Sequence, residues 1–193
     1  MKTERLNAFT DGVLAIVITI MVLELPIPEG SNFAAVRAVL PLFGAYALSF
    51  VYVGIYWSNH HHMMQAVGHV DGRVVWANNF LLFWISLFPF NIRWIGEAGI
   101  TAWPVAAFGV ALIMAAAAYR VLERALIAVE GKQSRVQAAV GIATKEWLSL
   151  VAYTAGVSLA FFNPLISIVL YVTVAIVWLV PDRRFEKRTN LQA

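Results

Sequence analysis

The chain contains no cysteine among its 193 residues. Disulfide bonds, thiol catalysis and cysteine-ligated metal sites are therefore excluded. Charge is also scarce, because Asp, Glu, Lys and Arg make up 13% of the chain, whereas about a quarter is usual in soluble domains. Hydrophobic residues make up 61%, and the mean hydropathy is +0.73. This composition predicts an integral membrane protein, and its modest net charge of +3 gives no reason to expect a nucleic-acid partner.

Internal repeats and low-complexity tracts are absent from the sequence, which favours one domain over residues 1–193. The start, MKTERLN, is too charged and too brief for a cleaved signal peptide, so we expect the first apolar segment to be retained as a helix. The fold class predicted is all-α, with six transmembrane helices separated by turn-forming residues. Their predicted ranges are about 5–25, 34–59, 73–95, 101–124, 137–161 and 165–180.

The basic residues predict how these helices are oriented. If the amino terminus is inside, 12 of the 14 Lys and Arg lie on inner segments and 2 on outer ones. Cytoplasmic loops of membrane proteins carry such an excess, so both termini are expected in the cytoplasm. The inner residues are Lys2, Arg5, Arg73, Arg120, Arg124, Lys132, Arg135, Lys145, Arg183, Arg184, Lys187 and Arg188, and the outer ones are Arg37 and Arg93.

The first apolar segment carries the one specific motif, R-x-x-x-F-T-D, formed by Arg5, Phe9, Thr10 and Asp11. From Arg5 to Leu25 a helix would span roughly 30 Å, the thickness of a bilayer core. An aspartate costs about 2.5–3.5 kcal/mol at the bilayer centre and less near the interface. Asp11 is therefore expected to be paired or to face protein.

Helical geometry gives this segment an apolar stripe. With about 100° per residue, Phe9, Gly12, Ile20 and Leu23 fall within about 40° of Ile16. Asp11 points roughly 140° from that direction, and Thr10 about 120° away on the other side. We call Phe9, Gly12, Ile16, Ile20 and Leu23 the apolar stripe.

The motif, the apolar helix and the exit L-E-L-P at residues 23–26 resemble the prokaryotic homologues of the lysosomal and endosomal potassium channel (transmembrane protein 175). The resemblance covers the whole chain, with Thr10 where the family usually has serine. It implies a homotetramer in which four first helices surround one pore, in a prokaryotic cell membrane. It also implies an aliphatic constriction at Ile16, Ile20 and Leu23.

The function implied is a passive potassium channel that admits other monovalent cations more weakly, with no cofactor and no enzymatic activity. The chain contains no T-V-G-Y-G, no glycine-rich re-entrant loop and no arginine-rich helix. A carbonyl selectivity filter and a voltage sensor of those kinds are therefore not expected. Selection at an apolar constriction would rest on dewetting and on the lower dehydration cost of potassium relative to sodium.

Three further residues of the first helix have open assignments. Glu24 follows the stripe, so four copies would line an outer mouth and concentrate cations. Thr19 is expected either to hydrogen-bond its own helix or to offer a hydroxyl at the pore edge. Arg5 is expected either at the cytoplasmic entrance or in contact with a neighbouring helix.

The stretch W-S-N-H-H-H-M-M contains three consecutive histidines, His60, His61 and His62. Adjacent residues on a helix point about 100° apart, so the three are not expected to hold one metal ion. They are instead expected near the inner end of the second helix. We predict that one of them contacts Thr10 or Asp11, with Asn78 and Asn79 as further partners. Together with Arg5 and Phe9 they would form a packing clasp that fixes the first helix.

Two other classes of protein were weighed. A proton- or cation-coupled secondary transporter would use Asp11 and the histidines as a relay, but it favours broken helices near the midplane or a repeat. A membrane enzyme would need a nucleophile and base, or metal ligands, converging on a pocket. Lys145 and Glu146, early in the fifth helix, are left as either interfacial residues or a buried pair.

Overall fold

The computed structural model describes residues 2–65, 67–130 and 144–179, and the regular elements in these ranges are α-helices. The all-α prediction is therefore confirmed for the described part of the chain. The helices are α1 (Thr3–Leu23), α2 (Phe33–Gln65), α3 (Gly72–Ile85), α4 (Phe88–Ala98), α5 (Ala102–Glu130), α6 (Thr144–Leu159) and α7 (Pro164–Leu179).

Among the described residues, four stretches are long and apolar enough to cross a membrane, namely α1, α2, α3 together with α4, and α5. Helix α7 is apolar but has 16 residues, a length of about 24 Å. Helix α6 also has 16 residues in its described part. The predicted fifth span begins at residue 137, and residues 137–143 lie outside the described residues, as do residue 180 and the basic tail.

Two of the predicted helices differ from the observed ones. Helix α2 ends at Gln65 rather than near residue 59, so the three histidines lie within the helix. The predicted helix 73–95 is interrupted at Ser86–Leu87, where α3 ends and α4 begins with Pro89 in its first turn. The physical reason is that proline has no N–H to donate and its ring clashes with the carbonyl four residues earlier, which favours a new helix start.

Helix α5 is the centre of the packing, because it contacts α3, α4, α6 and α7. Small residues on its buried face, among them Gly109, Ala115 and Ala118, let neighbouring helices approach closely. A Cβ at Gly109 would overlap the Tyr171 side chain. Tyr171 is fully buried, and its backbone carbonyl accepts a 2.7 Å hydrogen bond from the Tyr52 hydroxyl. This contact joins α2 to α7 across α5.

Helix α1 lies against α2, α3 and α4. Its first residues are held by the connection between α2 and α3. The Thr3 hydroxyl donates to the Val67 carbonyl at 3.2 Å, and Lys2 forms an isolated backbone bridge with His69. Asp71 caps the start of α3 by accepting from the N–H groups of Arg73 and Val74. The amino-terminal end of α1 is thus fixed by both backbone and side-chain contacts.

Candidate functional site: the first helix and its neighbours

Helix α1 has one face packed against the protein and one face uncovered in the single chain. The buried residues recur every three to four positions and are Leu6, Thr10, Leu14, Val17 and Met21. The predicted apolar stripe lies on the other face, where Ile16 is 59% exposed and Leu23 is 80% exposed. Ile20, Phe9 and Gly12 are exposed as well. The stripe is therefore a continuous apolar surface that the described part of its own chain leaves uncovered.

Thr10 faces away from the stripe, as the helical geometry predicts, and is 1% exposed. Its hydroxyl oxygen accepts a 2.9 Å hydrogen bond from Asn78 Nδ2. The Asn78 Oδ1 atom lies 2.9 Å from His60 Nε2, and both residues are buried. Three helices, α1, α2 and α3, are thereby linked through one chain of polar side chains. Because Asn78 donates to Thr10, the remaining Asn78 oxygen requires the Nε2–H tautomer of His60.

Asp11 is exposed and is paired with an aromatic donor, since Trp57 Nε1 donates to Asp11 Oδ1 at 2.9 Å. The Trp57 ring also stacks on His61, with 5.8 Å between ring centroids. His61 Nε2 lies 2.9 Å from Gln65 Nε2. The expectation that Asp11 is paired is thus confirmed, and the partner is an indole on α2.

These contacts change the predicted role of the histidines. His60 reaches Thr10 through Asn78 and not directly. His61 contacts Trp57, the partner of Asp11. Because α2 continues through the cluster, consecutive histidines diverge, so His60 is buried whereas His61 and His62 are exposed. Within the described ranges no group of three His, Cys, Asp or Glu side chains is placed to hold a metal ion.

Three residues of the predicted clasp lie outside this network in the single chain. Arg5 and Phe9 are exposed, and Asn79, next to Asn78, is half-buried. Thr19, on the exposed side of α1, hydrogen-bonds its own helix, with its hydroxyl 2.8 Å from the Ile16 carbonyl and 3.1 Å from that of Ala15. Of the two assignments open for Thr19, the backbone contact is the one observed.

At the other end of α1, Glu24 closes the helix and lies 3.9 Å from Arg93 of α4. Arg93 also makes a 2.9 Å ion pair with Glu97. The sequence suggested an acidic outer mouth at Glu24. The structure places one arginine between Glu24 and Glu97, so each chain brings two carboxylates and one guanidinium to this end of α1.

Sequence reasoning missed Trp57 and the ion pairs of Arg120. Trp57 opens the W-S-N-H-H-H-M-M stretch, and its spacing of four from His61 puts the two side chains on one helix face, which is the signal that could have indicated its role. Arg120 of α5 pairs with Glu123 at 2.9 Å and with Glu146 of α6. Glu146 is thus one member of a partly buried ion pair between helices, and its partner is Arg120, which the sequence did not indicate.

Comparison with known proteins identifies relatives of this chain. The family model described as "Endosomal/lysosomal potassium channel TMEM175" matches residues 5–89, which contain α1, α2, α3 and the start of α4. A potassium channel of Chryseobacterium sp. is 51% identical over 187 residues, which cover 97% of each chain. A potassium channel of Streptomyces collinus is 33% identical over 100 residues, covering 50% of this chain and 48% of that protein.

Two other relatives extend the comparison. The human protein named endosomal/lysosomal proton channel TMEM175 is 34% identical over 101 residues, covering 46% of this chain and 20% of the human one. The crystal structure of a lysosomal potassium-selective channel TMEM175 homolog from Chamaesiphon minutus superposes with a TM-score of 0.75 at 24% identity, covering 92% of this chain and 96% of that one. The near full-length identity to the Chryseobacterium channel, together with the matched family model, shows that this chain belongs to the TMEM175 channel family.

Proposed function

We propose that the chain is a passive potassium channel, in which α1 lines the ion pathway. The observation that carries this proposal is the uncovered apolar stripe on a helix whose opposite face is packed and hydrogen-bonded to the protein. The relatives named as potassium channels support the choice of ion. The channel is not an enzyme and needs no cofactor.

Four copies per channel are what the resemblance to the TMEM175 channels implies, and one stripe per chain is compatible with that number. An apolar constriction needs apolar side chains on all sides of the ion pathway, and the stripe of one chain covers one side, so closed rotational symmetry would supply the rest. In this arrangement Ile16, Ile20 and Leu23 form successive rings about one helical turn apart. A ring of aliphatic side chains has no oxygen to replace an ion's hydration shell, so passage depends on partial dehydration. Potassium holds its water more weakly than sodium and is preferred.

The two ends of the pore carry different chemistry. At the outer end, Glu24 would add negative charge that attracts cations, with its effect moderated by Arg93. At the inner end, Arg5 is exposed near the stripe direction, and we assign it to the cytoplasmic entrance or to a contact with a neighbouring subunit. Thr19 would lie at the edge of the pore with its hydroxyl directed to its own backbone.

The contacts of Thr10 and Asp11 act as a clasp that sets the rotation of α1. We define the clasp as Thr10, Asp11, Trp57, His60 and Asn78. Polar groups in a membrane protein interior must be paired within the protein, so Thr10 and Asn78 hold the polar face of α1 inward. The stripe then faces away from the chain. The exposed motif residues Phe9 and Arg5 are left for contacts between subunits.

We further propose six membrane crossings with both termini in the cytoplasm, one domain over residues 1–193 and residence in the cell membrane. The excess of basic residues on the segments assigned to the inside supports this orientation. A coupled transporter using Asp11 and His60–His62 has less support, because the Thr10–Asn78–His60 chain is buried with partners inside the protein. The human relative's name makes protons the competing permeant ion.

The proposed tetramer predicts the mass of the purified protein. Purified protein in mild detergent should give a species of about 85 kDa by native mass spectrometry, which corresponds to four chains of 21.3 kDa. A single-chain or two-chain species under all mild detergents would contradict the tetramer.

The proposed constriction predicts the effect of a polar substitution in liposome flux assays with potassium, sodium and proton gradients. Ile16→Asn should raise potassium flux by about tenfold, equivalent to about 1.4 kcal/mol of barrier, because a ring of amides removes the dewetted zone. Sodium flux should rise further, so that the preference for potassium falls. Ile176→Asn is the matched control, since Ile176 on α7 is 57% exposed against 59% for Ile16, and it should leave the ion preference unchanged. Equal effects of both variants, or a wild-type protein that passes protons alone, would rule out the assignment.

The clasp predicts a difference between two adjacent asparagines. Asn78→Ala should lower the free energy of unfolding by about 1 kcal/mol, because Thr10 and His60 each lose their buried partner. Asn79→Ala removes the same side-chain atoms at the next position, where the side chain makes no hydrogen bond to a described residue. It should therefore lower the free energy of unfolding much less. The measurement is denaturant unfolding in detergent followed by circular dichroism. Equal losses for the two variants would contradict the clasp.

A further inference from the structure

A cavity of about 360 Å³ lies between α2, α5, α6 and α7. This volume is within the range of small-molecule binding pockets, about 300–1,000 Å³. Its lining residues belong to those four helices and not to α1. The cavity is therefore separate from the apolar stripe and has no part in the pore proposed above.

The cavity is elongated along the helices. On α2 its lining runs from Tyr52 to Asn59, and on α5 from Ala116 to Arg124, so it extends about 10–12 Å along the helix axes. In the proposed orientation its deep end, near Tyr52 and Tyr153, lies toward the membrane midplane. Its rim, with Asn59 and Arg124, lies toward the cytoplasmic surface.

The polarity of the cavity lining changes from the deep end to the rim. The deep walls are formed by aromatic and aliphatic side chains, including Tyr52, Ile55 and Leu150. Two tryptophans, Trp147 and Trp178, lie nearer the rim, and Trp178 Nε1 donates to Ser149 Oγ at 2.8 Å. Tryptophan favours the headgroup level of a bilayer, where its ring contacts lipid acyl chains and its N–H contacts polar headgroups. The cavity thus has the polarity profile of one leaflet.

The charge accessible at the rim is positive. Arg120 is occupied by two carboxylates, Glu123 and Glu146, and Glu123 is 6% exposed. Arg124, one turn further along α5, is exposed and makes no ion pair with a described residue. A ligand entering from the inner surface would therefore meet the exposed Arg124 guanidinium, whose charge is neighboured by that of Glu123. Guanidinium groups bind phosphate oxygens through paired hydrogen bonds.

We propose that this cavity binds an anionic phospholipid of the inner leaflet. The phosphate sits at Arg124 and Asn59, and part of one acyl chain lies between Tyr52, Ile55 and Leu150. Basic pockets between transmembrane helices on the cytoplasmic side suit such headgroups. A lipid in this position contacts α2, α5 and α6 at once and reinforces their packing. This inference uses the orientation given under the proposed function but does not depend on the permeant ion.

The test is a lipid titration of the purified, detergent-solubilised protein, read by native mass spectrometry as bound lipid per chain. The probes are phosphatidylglycerol, phosphatidylcholine and glycerol phosphate. Wild-type protein should bind phosphatidylglycerol about fivefold more tightly than phosphatidylcholine, and glycerol phosphate should not bind at the same concentrations. Arg124→Gln should abolish the preference. Arg73→Gln, which removes another exposed inner arginine at the start of α3, should retain it.

A second variant changes the volume of the cavity without changing any surface charge. Ala116→Phe narrows the cavity from the α5 side and should weaken the binding of both lipids by several-fold. Potassium flux of Arg124→Gln serves as the fold control and should stay at the wild-type level, so failure of lipid binding and failure of the channel proposal are separable. Equal loss in Arg124→Gln and Arg73→Gln would mean surface attraction alone and would overturn the site. Binding of glycerol phosphate as tight as lipid, or no lipid preference in wild type, would overturn it as well.

Discussion

A hydroxyl group cannot stay unpaired inside a membrane protein without a free-energy cost, and we propose that this constraint sets how α1 is rotated. Thr10 is 1% exposed and is paired with Asn78, which is in turn paired with His60. Rotating α1 by half a turn would break the Thr10–Asn78 hydrogen bond and bring the apolar stripe into the core in place of Thr10. The proposed pore therefore depends on a hydrogen bond at the far side of the same helix.

The other helices contribute to two distinct features of the chain, the support of α1 and the cavity. Helices α2, α3 and α4 support α1 and keep its stripe uncovered. Helix α5 packs on α3 and α4 and also on α6 and α7, so it connects helices that pack on α1 to the helices around the cavity. A ligand in the cavity would contact α2, which packs on α1 and carries Trp57 and His60, as well as α5. The ion pair of Arg120 with Glu146 joins α5 to α6 beside the cavity.

The sequence predicted the two faces of α1 because helical periodicity and the cost of buried polar groups are local properties. It also predicted that Asn78 lies at the depth of the motif. It did not predict that Trp57 pairs with Asp11 or that Arg120 pairs with Glu146, since these partners lie on different helices and their choice depends on packing angles. The break before Pro89 was missed because a proline near a helix end is compatible with either one bent helix or two helices. The six crossings, the four-fold assembly and the roles of Ile16, Ile20 and Leu23 remain predictions.

The central claim, that the stripe faces the ion pathway, is tested most directly by cysteine modification, because the natural chain has no cysteine. Ile16→Cys channels would be recorded in planar bilayers while a cationic thiol reagent is added. The account predicts that potassium current falls in up to four steps as side chains in one pore are modified. Phe162→Cys, exposed in the turn between α6 and α7, should be labelled without loss of current. Unchanged current in Ile16→Cys channels that mass spectrometry shows to be fully labelled would contradict the account.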